Sequence, residues 1–207
     1  MTKPVGGLRK LCFGGSFNPI HHGHLICARA VVEAAGFDKI VLIPSANPPH
    51  KPASTDLADA HHRRAMCRLA IADDNFFEIE ELELQRTGPS YTIDTVRQLI
   101  SQGWKEVYWL IGADMAKILP QWHQAESLLR ETQFVLMARP GSEIDWQALP
   151  PAFRSLRQQV VPAPLIDISA TEIRRRIAHG QSIRYLTPPA VEQYIRDQRL
   201  YRPLNAP

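Results

Sequence analysis

The chain has 207 residues, of which 44% are hydrophobic and 22% are charged, as is ordinary for a soluble globular protein with a normal core. Its formal net charge of +3 is too small to indicate nucleic-acid binding by itself. No apolar run approaches the roughly 20 residues of a membrane span, and the basic start lacks the apolar core of a secretory signal. We therefore expect a cytoplasmic protein with no membrane partner and no nucleic-acid partner.

The cysteines give no sign of a metal centre. Cys12, Cys27 and Cys67 are an odd number at wide spacing, and no CxxC pair occurs. This pattern argues against a zinc ribbon and favours buried, reduced thiols.

The first elements along the chain form a βαβ unit. An apolar strand is predicted over residues 9–13, a helix over 24–35 that ends at Gly36, and a strand rich in β-branched residues over 39–43. Strands joined in this way are parallel, with a right-handed crossover between them. Ligands of such sheets bind at the carboxyl ends of the strands.

Strands and helices continue to alternate through the middle of the chain. Strands are predicted over 76–80, 106–111 and 133–137, a short strand or extension over 81–85, and helices over 59–72, from the turn at 88–92 to Gly103, and over 126–129. The polar face of the helix at 59–72 is basic and is expected to be solvated; it carries His61, His62, Arg63, Arg64 and Arg68. The alternation predicts an α/β fold with a doubly wound, mainly parallel sheet.

The last part of the chain is predicted to be helical. A short strand is placed at 160–161, a helix runs from Ser169 to Gly180, and Thr187-Pro188 opens a final helix that reaches about residue 199. The preceding residues 140–158 are punctuated by prolines and have no assignment. We therefore divide the chain into a core at residues 1–162 and a small helical C-terminal subdomain at 163–207.

The segment from Gly14 to His24 has the sequence GGSFNPIHHGH and joins the first strand to the first helix. Its two leading glycines allow backbone N–H groups to approach a ligand. His21 and His24 lie at the start of the helix, where the partial charge is positive. Such a turn favours an anion, in particular a nucleotide phosphate.

A second helix start has the same character. Ser169 and Glu172 have the spacing of a capping box, with Thr171 and Arg174 close behind. Hydroxyl groups, helix N–H groups and a guanidinium suit a polyphosphate. By itself, however, the segment could also be a plain helix cap with a solvated arginine.

These groups fit the transfer of a nucleotidyl group. An oxygen of one substrate attacks a phosphate of the other in line, so that catalysis consists of alignment and charge stabilisation. Imidazoles, an ammonium group and a guanidinium suit this task, and the candidate catalytic residues are His21, His24, Lys51 and Arg174. His50 and Lys51 lie in a proline-stiffened loop after the second strand. No GxSxG or Cys/His arrangement supplies a covalent nucleophile.

The two segments resemble signatures of the HxGH nucleotidyltransferases, whose usual forms are GGxFDPxHxGH and ISxTxIR. One departure is Asn18, which stands where aspartate is common, although both side chains can hydrogen-bond the turn backbone. Four further segments resemble the bacterial nicotinate-mononucleotide adenylyltransferases: PPHK at 48–51, PSYT at 89–92, IGAD at 111–114 and the turn around Trp122. The resemblance covers about residues 9–200.

The resemblance implies a Rossmann-like fold and an enzyme that transfers the adenylyl group of ATP to nicotinate mononucleotide. The products would be nicotinate adenine dinucleotide (deamido-NAD) and pyrophosphate, as a step of NAD biosynthesis. Mg²⁺ is expected with ATP, and it would be held chiefly by phosphate and water because carboxylates for a dedicated metal site are not evident. The chain could act as a monomer or as a homo-oligomer.

The resemblance also assigns binding residues. The expected ATP-binding residues are Gly14, Gly15, Ser16, Phe17, His21, His24, Ile168, Ser169, Thr171 and Arg174. The expected acceptor-binding residues are Asn18, His50, Lys51, Tyr91, Thr92, Asp114, Trp122 and His123. Here Trp122 would stack on the pyridine ring, and backbone N–H groups near Thr92 and His123 would bind its carboxylate. Asp114 would hold ribose hydroxyls.

Three alternatives stay open from the residues alone. A related enzyme of the same superfamily could adenylylate nicotinamide mononucleotide or pantetheine phosphate. A metal-binding module could use a pair such as His21 and His24 from the set His21, His22, His24, His61 and His62, although no third ligand has a standard spacing. A nucleotide-binding protein without catalysis is the third alternative, and Asn18 is its only hint.

Overall fold

The computed structural model describes residues 7–49, 56–141 and 143–202. One parallel sheet contains the strands β1 Lys10–Gly15, β2 Lys39–Pro44, β3 Phe77–Ile79, β4 Tyr108–Gly112, β5 Gln133–Ala138 and β6 Val160–Pro162. The α-helices are α1 His22–Ala35, α2 Ala60–Ala70, α3 Thr92–Ser101, α4 Ala125–Glu131, α5 Ala170–Ala178 and α6 Pro189–Asp197. Short 3-10 helices occupy Leu82–Gln85, Ala113–Lys117, Leu119–Gln121 and Pro151–Gln159.

Two hydrophobic clusters cover the two faces of the sheet. Leu11 and Phe13 of β1 belong to one cluster with residues of α1, α2, α5 and α6. Cys12, which lies between them, belongs to the other cluster with residues of α3 and α4. Alternate residues of a strand face opposite sides, so a strand covered on both faces reads as a continuous apolar run. This arrangement confirms the predicted doubly wound fold.

Across the sheet the strands follow the order β3-β2-β1-β4-β5-β6. The chain therefore adds β2 and β3 on one side of β1 and then β4, β5 and β6 on the other side. β1 pairs with β2 on one side and with β4 on the other, all in parallel. The connections after β1 and β4 therefore lead away to opposite sides, and a crevice opens between them at the carboxyl ends. Gly14 and Gly15, which the sequence analysis predicted as a turn, are the last two residues of β1 and lie at this switch point.

The C-terminal helices pack on the sheet. Ile173 of α5 and Val191 and Ile195 of α6 belong to the same hydrophobic cluster as Leu11 of β1. The division into residues 1–162 and 163–207 stays a prediction, because the two parts share this cluster. All three cysteines are buried and free, as the sequence predicted.

The segment at 81–85 is not the predicted strand or strand extension. It contains the 3-10 helix Leu82–Gln85, in which Leu82 and Glu83 are both buried. The N–H of Leu84 donates to the carbonyl oxygen of Glu81 at 3.0 Å and the N–H of Arg86 to that of Glu83 at 3.4 Å, so these backbone groups bond within the segment, as in a 3-10 helix. Leu82 and Leu84 are two residues apart, as are side chains on one face of a strand, and this spacing led to the wrong prediction.

Two parts near the C-terminus also differ from the sequence analysis. The final helix begins at Pro189 with Pro188 as its N-cap, one residue later than the predicted start. The unassigned stretch contains a 3-10 run at Pro151–Gln159, whose Phe153 and Leu156 are buried. In the ranges that the structure describes, no helix has the length and apolar character needed to cross a membrane.

Arg63 of α2 is buried, with 1% of its surface exposed, although the sequence placed it on a solvated basic face. Its guanidinium donates hydrogen bonds to the carbonyl oxygens of Ala58 at 2.8 Å, Ser16 at 2.9 Å and Ala46 at 3.0 Å, and also to that of Ser45. Ser16 follows β1, and Ser45 and Ala46 follow β2. One side chain therefore fixes the loops at the ends of two central strands.

We expect Arg63→Met to destabilise the protein by about 3 kcal/mol or more, because methionine fills much of the volume but leaves buried carbonyl groups without donors. Arg64→Met is the control, since Arg64 is exposed and makes a single ion pair with Glu81. That change should cost about 0.5 kcal/mol or less. Urea unfolding of both variants measures the difference, and equal losses would contradict the role of Arg63.

Candidate active site

A cavity of about 500 Å³ opens at the carboxyl ends of the central strands. Its lining includes most of the residues that the sequence analysis assigned to the two substrates: Gly14, Gly15, Ser16, Phe17, Asn18, His21, His24, Tyr91, Thr92, Trp122, His123, Ile168, Ser169 and Thr171. The structure therefore brings both helix starts and the central motifs into one space, although they are far apart in the sequence.

Gly14 and Gly15, at the end of β1, lie so close to aromatic rings that a larger side chain would not fit. A methyl group on Gly14 would lie 2.6 Å from a carbon of the Trp109 ring, and one on Gly15 would lie 3.1 Å from the ring of Phe17. Both side chains are almost fully buried and cannot move aside freely. The two glycines thus let the backbone pass between aromatic side chains at the edge of the cavity.

The two signature histidines are stacked. The rings of His21 and His24 have centroids 3.7 Å apart and an interplanar angle of 27°. The backbone N–H of His21 donates to Nδ1 of His24 at 3.3 Å, so a neutral His24 carries its proton on Nε2. A methyl group on Gly23 would lie 3.0 Å from Nδ1 of His21, which explains the glycine between the histidines.

His21 is neutral at physiological pH. Burial lowers its pKa from the ordinary 6.5 to about 4, and the positive charges of Arg139 and His22 act in the same direction. His21 is only 5% exposed. It can therefore serve as a neutral hydrogen-bonding group and can pack against the ring of His24, but it does not serve as a cation.

Arg139 lines the same cavity and was missed in the sequence analysis. It follows β5 directly, so it lies at the carboxyl edge of the sheet as the other ligand-facing residues do. Its position after a central strand was the available signal. A guanidinium there adds positive charge to a cavity that two helix starts already make favourable for anions.

The start of α5 lies at the cavity. Ser169 is the N-cap, and its hydroxyl accepts a hydrogen bond from the N–H of Glu172 at 3.1 Å, as the capping-box spacing predicted. Ile168, Ser169, Ala170 and Thr171 line the cavity. Arg174 lies one turn further along and is not among the lining residues, so its catalytic role stays a prediction.

Asn18 and Arg174 join the two phosphate motifs. Arg174 donates a hydrogen bond to the carbonyl oxygen of Asn18 at 2.9 Å. The Asn18 amide donates to the carbonyl oxygen of Asp56 at 2.8 Å and accepts from the N–H of Ala58 at 3.0 Å and from the hydroxyl of Tyr201 at 2.8 Å. An aspartate carboxylate could not donate a hydrogen bond to the carbonyl oxygen of Asp56, so asparagine suits this position. Its predicted contact with the acceptor stays a prediction.

The opposite side of the cavity is built from two segments that meet through aromatic rings. The rings of Tyr91 and His123 are stacked, with centroids 4.2 Å apart and an interplanar angle of 23°. Tyr91 precedes Thr92, the first residue of α3, and His123 follows the half-buried Trp122. The two segments that the sequence analysis assigned to the acceptor, around Thr92 and around Trp122, are therefore neighbours.

Besides Arg174, three predicted site residues have no observed place in this cavity. Asp114 is exposed in the 3-10 helix after β4 and is not among the lining residues, so its ribose contact stays a prediction. His50 and Lys51 lie outside the described residues. Within the described ranges, no group of three or more His, Cys, Asp or Glu side chains could hold a metal ion.

Glu83 is a second residue that the sequence analysis missed. Its carboxyl group is buried in the cavity lining beside Ser90, at the start of the segment that leads to Thr92. Burial raises its pKa from the ordinary 4.5 to about 7. Nothing in the local sequence distinguishes Glu83 from the surface glutamates around it.

The pKa of His21 predicts a loss of stability in mild acid. Because the folded pKa is about 4 and the ordinary value is 6.5, only the unfolded chain takes up a proton between these values as the pH falls. This difference should remove up to about 3 kcal/mol of folding free energy between about pH 6.5 and pH 4. Urea unfolding across this range measures the loss of folding free energy.

His21→Asn should flatten the dependence of this free energy on pH, and His61→Asn, at an exposed histidine, serves as the control. An unchanged slope in His21→Asn would contradict the assignment.

Comparison with known proteins agrees with this geometry. Residues 12–176 match the model of the cytidylyltransferase-like family. A probable nicotinate-nucleotide adenylyltransferase from Synechococcus sp. (strain JA-3-3Ab) is 44% identical over 97% of this chain and 99% of the relative. One from Roseiflexus sp. (strain RS-1) is 42% identical over 97% and 99%.

Solved structures show the same fold. The Plasmodium falciparum nicotinic acid mononucleotide adenylyltransferase complexed with NaAD superposes with a TM-score of 0.71 at 20% identity, covering 93% of this chain and 97% of that one. At this identity the likeness concerns the fold alone. The match to the family model and the near full-length identity to curated relatives show that the chain belongs to the cytidylyltransferase-like family and, within it, to the nicotinate-nucleotide adenylyltransferases.

Proposed function

We propose that the protein transfers the adenylyl group of ATP to nicotinate mononucleotide and releases pyrophosphate, as a step of NAD biosynthesis. The observation that carries the proposal is one cavity that combines the stacked histidines and the start of α5 with the pocket around Tyr91, Trp122 and His123. The first set suits phosphates and the second suits a planar acceptor. The names of the curated relatives support the same reaction.

On the ATP side, the protein aligns the phosphates and stabilises their charge. The backbone at Gly14 and Gly15 and the start of α5 offer N–H groups and positive helix ends. The Nε2–H of His24 would donate to a phosphate oxygen as charge develops in the transition state. His21 keeps this ring in place. Because His21 is neutral, it adds no electrostatic attraction that would slow the release of pyrophosphate.

On the acceptor side, Trp122 would stack on the pyridine ring, and backbone N–H groups near Thr92 and His123 would bind the ring carboxylate. A phosphate oxygen of the acceptor then attacks the α-phosphorus of ATP. A new phosphorus–oxygen bond forms while the bond from the α-phosphorus to the bridging oxygen breaks, and pyrophosphate leaves. No covalent intermediate with the protein is needed.

Mg²⁺ would accompany ATP in this reaction. The described residues offer no cluster of carboxylates, so the phosphates and water would supply most of its ligands. The ion would neutralise charge on the phosphates.

The direct test is a pyrophosphate-release assay with Mg-ATP and three separate acceptors: nicotinate mononucleotide, nicotinamide mononucleotide and pantetheine phosphate. The proposal expects turnover that strongly favours the nicotinate compound. Turnover with a different acceptor alone would keep the phosphate site but overturn the acceptor assignment. ATP binding without turnover of any acceptor would favour a non-catalytic nucleotide-binding protein.

His24→Ala should lower kcat by at least about tenfold, because the site loses a donor to the transition state. The control is His22→Ala, since the neighbouring imidazole does not line the cavity. Circular dichroism should show that both variants fold. Full activity in His24→Ala would refute the role of this imidazole.

Trp122→Ala should raise the KM of the pyridine acceptor by roughly tenfold or more and leave the KM of ATP nearly unchanged, because the proposed stacking of the ring involves only the acceptor. Trp122→Phe keeps an aromatic face and should recover much of the loss. Steady-state kinetics with each substrate varied in turn provides the measurement. An effect on the KM of ATP alone would mean that the acceptor pocket lies elsewhere.

A further inference from the structure

Glu83 is a carboxylic acid inside the acceptor half of the cavity. It is only 4% exposed, although it lines the same space as Tyr91, Thr92 and Trp122. Carboxyl groups are seldom buried without a reason, because ionisation away from water is unfavourable. The proposed acceptor is itself an anion, so an ionised Glu83 would oppose its binding.

The partners of Glu83 place it against the first turn of α3. The hydroxyl of Thr95 donates to Oε1 at 2.8 Å, and the hydroxyl of Ser90 also hydrogen-bonds the carboxyl group. Ser90 and Thr95 flank Tyr91 and Thr92, where the backbone would receive the pyridine carboxylate. The Glu83 carboxyl group therefore belongs to the same local structure as the proposed anion site.

Both of these donors are neutral hydroxyls. The guanidinium of Arg86 donates to Thr95 Oγ1 at 2.7 Å, and it acts on the Glu83 carboxyl through its charge. The other titratable or charged groups that line the cavity are His21, His24, Tyr91, His123 and Arg139. Burial outweighs the Thr95 and Ser90 hydrogen bonds and the Arg86 charge, and raises the pKa of Glu83 to about 7.

We propose that Glu83 takes up a proton from solvent when a pyridine carboxylate binds at the start of α3, and thereby makes the choice between acid and amide acceptors depend on pH. This inference rests on the proposed function. The bound carboxylate disfavours a second negative charge nearby, so it stabilises the protonated form of Glu83. By reciprocity, protonation of Glu83 strengthens binding of the acid acceptor.

The amide acceptor behaves differently. A neutral amide brings no charge that would favour protonation, and its N–H groups can donate to an ionised carboxylate. The preference for acid over amide should therefore fall as the pH rises through the titration of Glu83. The phosphate group of the acceptor also titrates near pH 6, but it is common to both mononucleotides and cancels in their ratio.

The test is calorimetric binding of nicotinate mononucleotide and nicotinamide mononucleotide with a non-hydrolysable ATP analogue present. Measurements in buffers of different ionisation enthalpy give the number of protons taken up. The acid should take up about half a proton more than the amide near pH 7.5, if binding shifts the Glu83 titration by one pH unit. The ratio of the two affinities should then fall by up to about tenfold between pH 6 and pH 9.

Glu83→Gln is the decisive variant, since glutamine keeps the shape and its Oε1 can accept from Thr95, but it cannot titrate. It should remove the extra proton and flatten the affinity ratio across pH. Thr95→Val deletes a hydrogen bond that lowers the pKa of Glu83, so it should move the midpoint of the profile to higher pH. Glu81→Gln is the matched control outside the cavity and should keep the wild-type profile.

The outcomes separate the inference from the proposed function. Binding and turnover of nicotinate mononucleotide with the same proton uptake in Glu83→Gln would overturn the role of Glu83 and leave the function intact. Failure of the wild-type protein to bind or adenylylate either pyridine mononucleotide would overturn the function itself. Loss of the extra proton in Glu83→Gln, with turnover retained, supports both.

Discussion

The buried guanidinium of Arg63 is the contact on which the ligand-binding edge of this protein depends. It is a cation without exposure to water, and it donates to carbonyl oxygens from the loops after β1 and β2 and from the segment before α2. Burial lowers its pKa, yet a guanidinium stays charged, and its planar fork can serve several acceptors at once. A lysine carries its three N–H donors on one atom and could not serve four separated carbonyl oxygens. Arg63 thereby ties the residue after Gly14 and Gly15 to the neighbouring loop after β2.

The rest of the site is built by contacts between distant parts of the chain. Asn18 connects the first motif to the segment before α2 and to Tyr201 near the C-terminus, while Arg174 connects it to α5. These contacts bring two helix starts to one cavity, so that phosphates would meet N–H groups and partial positive charge from two directions. The stacked, neutral His21 completes this half of the site, since it orders His24 without adding another cation.

The two halves of the cavity therefore differ in their electrostatics. The phosphate half accumulates positive potential from helix starts and Arg139, which suits a polyanion and its leaving group. The acceptor half holds a buried carboxyl group whose pKa lies near 7, next to the place proposed for a second carboxylate. Two carboxyl groups in such proximity share protons rather than both ionising. The chain thus couples recognition of an anionic ring to the protonation of its own side chain.

The sequence by itself determined the features that depend on neighbouring residues. The strand and helix alternation, the two histidines at the start of α1 and the Ser169 cap all rest on local patterns, and the structure confirms them. Contacts between distant residues decided what the sequence analysis missed. Arg63, Glu83 and Arg139 look like ordinary charged residues in the sequence, and Leu82–Gln85 imitates a strand. The burial of Arg63 and Glu83 follows only from packing, because the free energy of a charged group depends on which distant groups surround it.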